Sequence, residues 1–156
     1  MSRWRLWLSA LASAVMRATR FRLVPLHTTI YRLSGGRVIG RFYGTRLLLL
    51  TTHGRRSGKP HTVPLAFIPD EDGYIVGDGA AGWRTQPDWY RNLAADPSCE
   101  VQVGRRRFAA RARSPDPAGA QVYADRFITA RPDTARYPEL AGRPIDYVLL
   151  CPATST

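Results

Sequence analysis

Arg46-Leu47-Leu48-Leu49-Leu50-Thr51-Thr52-His53-Gly54-Arg55-Arg56-Ser57-Gly58-Lys59-Pro60 is the stretch whose reading decides the fold. Four leucines and two threonines without polar alternation predict a short strand buried on both faces. Gly54 and Gly58 then allow a tight turn, and Arg55, Arg56 and Lys59 load it with positive charge. Thr62 to Pro69 reads as the partner strand. Pro64 marks an edge or bulge near its start, because proline cannot donate to a ladder.

Downstream the pattern repeats in short pieces. Asp70-Glu71-Asp72-Gly73 predicts a turn and Tyr74 to Gly77 a third strand. Pro87 to Ala95 predicts a short helix that starts on proline and is stopped by Asp96-Pro97. Cys99, Val101 and Val103 alternate with Glu100 and Gln102; after Gly104-Arg105, Phe108, Ala110 and Ala112 alternate with Arg107, Arg111 and Arg113. That is a hairpin with one apolar face. Residues 118–130 predict a helix and Ile145 to Cys151 a last strand. Many short strands and few helices place the chain in the mainly β class, as a small antiparallel barrel with short peripheral helices.

Upstream, Gly35, Gly36, Gly40 and Gly44 mark a flexible connection. Trp4 to Met16 is apolar but too short to span a bilayer. On a helix, Trp4, Trp7, Leu8, Leu11 and Val15 form one stripe, with Arg5, Ser9, Ser13, Arg17 and Arg20 opposite. Such a basic amphipathic segment, residues 3–22, packs on its own domain or lies on an anionic membrane. Arg3 and Arg5 before the apolar run, with Ala12-Ser13-Ala14, also fit a signal peptide; the two-sided pattern and Arg17, Arg20 and Arg22 argue against it. The chain divides into an N-terminal helical segment, 1–33, and a single barrel domain, 34–156.

Charge narrows the function. The net charge of the 156 residues is +11. Residues 1–69 hold twelve Arg or Lys and no carboxylate; the rest holds eleven basic and twelve acidic residues. An acid-free basic half suggests a polyanionic partner. Aromatic residues are not interleaved with the basic ones and no DNA-binding motif appears, so nucleic acid is not expected. Two cysteines and three histidines at these spacings predict neither a disulfide framework nor a metal site. Reduced, buried cysteines favour the cytoplasm.

Gly54 to Lys59 superficially matches a phosphate-binding P-loop, but the spacing is one residue short and Pro60 stands where Ser or Thr should meet a metal. What remains is a turn able to nest an anion, with forked Arg bonds and a Lys point charge. Taken alone, a merely solvated turn is the simpler reading. A second segment, Asp78 to Leu93, puts Gly79 and Gly82 between a strand and a helix bearing Trp89, Tyr90 and Asn92. The glycines would let the backbone approach a planar ligand; the aromatic residues are as readily core.

Order and spacing link the two. Leu-Leu-Leu-Thr-Thr-x-Gly-Arg-Arg-Ser-Gly-Lys-Pro-x-x-x-Pro-Leu (48–65), followed by Gly-x-x-x-x-Pro-x-Trp-Tyr-x-Asn-Leu (82–93), Asp96-Pro97 and Val101-Gln102-Val103, resembles the deazaflavin (coenzyme F-420)-dependent nitroreductase family. The resemblance spans roughly residues 46–115. It implies a split β-barrel of the FMN-binding, flavin-reductase type. It also implies that Arg55, Arg56, Ser57, Gly58, Lys59 and Pro60 surround the cofactor's phosphate and glutamate tail. Pro64, Gly79, Ala80, Ala81, Gly82, Trp89 and Asn92 would line the deazaflavin ring and linker. Asp78 and His53 depart from the family pattern beside these positions.

The resemblance further implies hydride transfer from the reduced deazaflavin to a quinone, enone or nitroaromatic. Tyr137, Tyr123 and Tyr31 are the candidate proton donors or substrate walls. FMN in the same barrel is the alternative cofactor, and a non-catalytic cofactor- or membrane-binding protein the alternative role. Split barrels commonly pair, so a homodimer is a further expectation, as is a cytoplasmic location at the inner face of the membrane.

Overall fold

The computed structural model describes residues 23–42, 44–79 and 82–153; the basic segment 3–22, Ala80 and Ala81 lie outside them. A helix over 23–34 (α1) precedes β1 (Arg41–Phe42), β2 (Thr45–His53), β3 (Pro60–Asp70) and β4 (Gly73–Gly77). Then come α2 (Asp88–Ala95), β5 (Ser98–Val103), β6 (Arg106–Arg113) and α3 (Pro117–Ala130). A 3-10 turn (Pro132–Arg136), α4 (Tyr137–Ala141) and β7 (Tyr147–Pro152) complete the chain. The strands run β2-β3-β4-β7-β6-β5, and β5 pairs back onto β2, so six antiparallel strands close a barrel with β1 appended to β2. The barrel matches the sequence expectation. The 3-10 turn and α4 were not foreseen.

The unbroken leucine run has a structural cause. Leu48 and Leu50 point into the main core with Phe67, Val76, Val101, Val148 and Leu150. Leu47 and Leu49 point outward, yet are buried because Tyr31 of α1 covers them. The strand is thus apolar on both faces because the barrel fills one and a helix covers the other. Tyr31 is 1% exposed; its hydroxyl donates to Leu47 O at 2.8 Å and accepts from Gly104 N at 3.0 Å. One phenol bolts α1 to β2 and to the β5–β6 turn.

Pro64 sits opposite Leu49, inside β3 rather than at its start. It is tolerated there because β3 pairs with β2 through residue 66 and with β4 only from Phe67 onward. At Pro64 one edge of the strand is open, so no ladder bond is lost. Helix α2 plugs Trp89 and Leu93 into the main core, and α3 lays Phe127 against Ile75, Tyr147 and Leu149 outside β4 and β7. Cys99 is buried, and burial pushes its thiol up to about 12, which suits a packing residue and not a nucleophile.

Candidate active site

The basic turn closes on itself before it meets anything else. Gly54 N donates to Lys59 O at 2.8 Å and Gly58 N to Gly54 O at 2.7 Å. Lys59 N donates to Ser57 Oγ at 3.2 Å. Gly58 takes φ +67°, a conformation that favours glycine. A β-carbon on Gly54 would fall 2.6 Å from Ser57 Oγ and 2.9 Å from His61 Nε2, so His61 also flanks the turn.

The turn is pinned from below by Asn92. Its Oδ1 accepts from Arg55 N at 3.2 Å and Arg55 Nη1 at 3.1 Å, while its Nδ2 donates to Thr52 Oγ1 at 3.1 Å. Asn92 is 3% exposed and Thr52 fully buried, so the bond between them forms out of water, where leaving a group unpaired is costly. Arg55 Nη1 also pairs with Asp88 at 3.0 Å. Of the turn's three cations, Arg55 is therefore tied to α2. Among the described residues Arg56 and Lys59 pair with no carboxylate, and both are exposed. His53, one departure from the family pattern, faces solvent with its Nδ1 3.9 Å from Asp96 Oδ2.

The glycine loop is organised by α4 and the residues after it. A β-carbon on Gly79 would lie 2.6 Å from Cδ2 of Tyr137, and one on Gly82 2.6 Å from Cβ of Leu140. These two glycines admit α4, a role the sequence reading had given to a planar ligand. Asp78, the other departure, is fully buried and held at both carboxylate oxygens by Arg143 Nη1, at 3.0 and 2.9 Å. Asp146 N donates to the same carboxylate at 3.0 Å. Burial pushes the Asp78 carboxyl above its ordinary pKa, against the pull of Arg143.

Of the three candidate tyrosines, only Tyr137 reaches this loop. Its hydroxyl accepts from Arg131 Nη2 and donates to Asp133 Oδ2, both at 3.1 Å, and burial raises its pKa. Tyr31 is spent on the α1 bolt. Tyr123 lies on α3 near Asp70, at the opposite end of β3 from the basic turn. Trp89 is 5% exposed within the main core and packs edge-on to Tyr90, so it supports the site from beneath instead of lining it. Sequence reasoning missed Arg143, Asp133, Arg131, Thr52 and His61. The alternation of Thr52 with Leu48 and Leu50 could have placed it inward; for Arg143 and Asp78, 65 positions apart, no local signal exists.

A closed antiparallel barrel of this strand order is a split β-barrel of the FMN-binding-like class. The profile of the F420H(2)-dependent quinone reductase family matches residues 23–152. An F420H(2)-dependent quinone reductase of Mycobacterium tuberculosis is 34% identical over 134 residues, covering 83% of this chain and 89% of that protein. Among solved structures, an F420-H2 dependent reductase aligns with TM-score 0.61 at 28% identity, over 67% of this chain and 92% of that one. A domain-swapped dimer aligns with TM-score 0.63 at 25% identity, over 89% and 98%. The chain belongs to the F420H(2)-dependent quinone reductase family and is an oxidoreductase that uses coenzyme F-420.

Proposed function

We propose that this chain reduces a quinone acceptor, with the anionic tail of coenzyme F-420 held at Arg56, Ser57 and Lys59 and its ring directed toward the glycine loop. The observation that carries the reading is the pinned basic turn: two exposed cations, with no carboxylate partner among the described residues, on a backbone fixed by Asn92. That donor set fits a phosphodiester and several carboxylates. The reduced deazaflavin supplies the hydride when bound. The protein's part is to fix the tail, exclude water beside α2 and present the Tyr137 hydroxyl, the tyrosine beside Gly79, as the proton donor for the reduced acceptor. Stoichiometric loss of F420H2 absorbance upon addition of a soluble quinone tests the activity. No loss at any quinone concentration rejects it.

The barrel's N-terminal side extends the reading. Leu23, Leu26 and Leu33 fall on one face of α1 and are 52%, 54% and 82% exposed, and residues 1–69 carry no acid. Among the described residues no helix is long and apolar enough to cross a membrane. With the basic segment 3–22, this face supports attachment to an anionic bilayer at the cytoplasmic side, where a lipid-soluble quinone resides. The chain then co-sediments with anionic vesicles more than with neutral ones, and loses this preference without residues 3–22. Equal sedimentation in all cases dismisses the attachment. The domain-swapped dimer among the similar structures supports pairing of two copies of this chain.

A further inference from the structure

One arginine outside every motif gathers the glycine loop. Arg143 Nη1 holds both oxygens of the buried Asp78 carboxylate, and its Nη2 donates to Asp78 O at 3.2 Å. Its Nε donates to Arg84 O at 3.2 Å, at the other end of the loop. The backbone at its anchor is fixed as well: Asp78 N donates to Asp146 O at 2.9 Å, and Gln86 Nε2 to Asp146 Oδ2 at 2.8 Å. Tyr137, Leu140 and Arg143 follow one another at three-residue intervals and meet Gly79, Gly82 and Asp78 in turn. The 137–143 segment thus packs on Asp78, Gly79, Gly82 and Arg84, and Arg143 is its clasp.

We propose that Arg143 is a positioning residue for cofactor binding: it fixes Asp78 and Arg84, which flank the ring side of the site. The proposal rests on the cofactor reading given above. A guanidinium is required because its planar fork bonds a carboxylate and three carbonyls at once, those of Asp78, Arg84 and Pro144, which an ammonium on a flexible stem does not reproduce. Its action is on geometry, since its charge is cancelled by Asp78.

The test uses the full chain with Arg143→Lys and with the double variant Asp78→Asn/Arg143→Gln, which removes the fork while leaving no buried charge unpaired. Coenzyme F-420 affinity is titrated at several salt concentrations beside turnover at saturating cofactor and the melting temperature. Affinity is expected to fall about tenfold in both, with the salt slope kept and turnover at saturation lowered as the ring loses its alignment. A merely structural role lowers the melting temperature and leaves affinity of the folded protein intact; that result overturns the proposal. So does failure of both variants to fold, which makes the pair a folding requirement. Arg56→Ala/Lys59→Ala serves as the control. If it leaves affinity unchanged, the cofactor reading falls; if it weakens binding while the Arg143 variants do not, only the clasp falls.

Discussion

The basic turn and the glycine loop flank the same helix and are built on opposite principles. The turn, 54–59, is held at one point by Asn92 and leaves Arg56 and Lys59 in water. The loop is gripped at Asp78, Gly79, Gly82 and Arg84 by Tyr137, Leu140 and Arg143, and its acid is sealed from solvent. An open turn suits a long, flexible, charged tail, whose affinity comes from unpaired cations and falls with salt. A gripped loop suits a rigid ring, whose orientation must not drift. On this reading the turn supplies the salt-sensitive part of cofactor affinity and the loop the salt-independent fit of the ring.

The comparison breaks most sharply at Asn92, on which the turn depends. Asn92→Ala strips the bond from the buried Thr52 hydroxyl and both bonds to Arg55. Denaturant unfolding should show a loss of about 2 kcal/mol, with weaker cofactor binding alongside. A variant as stable as the parent would mean that the turn holds its shape without its pin. A smaller effect is expected at Tyr137, which belongs to the gripped side. Tyr137→Phe keeps the ring on Gly79 and removes the hydroxyl. Turnover should drop about tenfold while cofactor affinity stays put; unchanged turnover takes Tyr137 out of the chemistry.

Much of the barrel was legible because its signals are local. Leucine periodicity, alternation in the 99–113 hairpin and proline–glycine punctuation each depend on neighbours in sequence. The basic turn was legible for the same reason, as was Asn92, which lies on the same short helix as Trp89. What escaped depends on strand pairing. Arg143 and Asp78 meet only because β4 pairs with β7, placing Gly77 opposite Tyr147. The glycines were seen, but their cause was not: a glycine tells that something comes close, and here it is α4. Trp89 misled in the same way, since an aromatic beside a binding motif reads alike whether it lines the site or underpins it.

The central claim is that the open turn binds the cofactor through its tail. Its most direct test is a titration of wild-type chain and Arg56→Ala/Lys59→Ala with coenzyme F-420, and with a deazaflavin lacking the phosphate and glutamates, at low and high salt. Wild type should favour the complete cofactor strongly at low salt and less at high salt, and the double variant should lose most of that preference while binding the tailless ring equally well. A double variant that keeps the full, salt-sensitive preference would contradict the account.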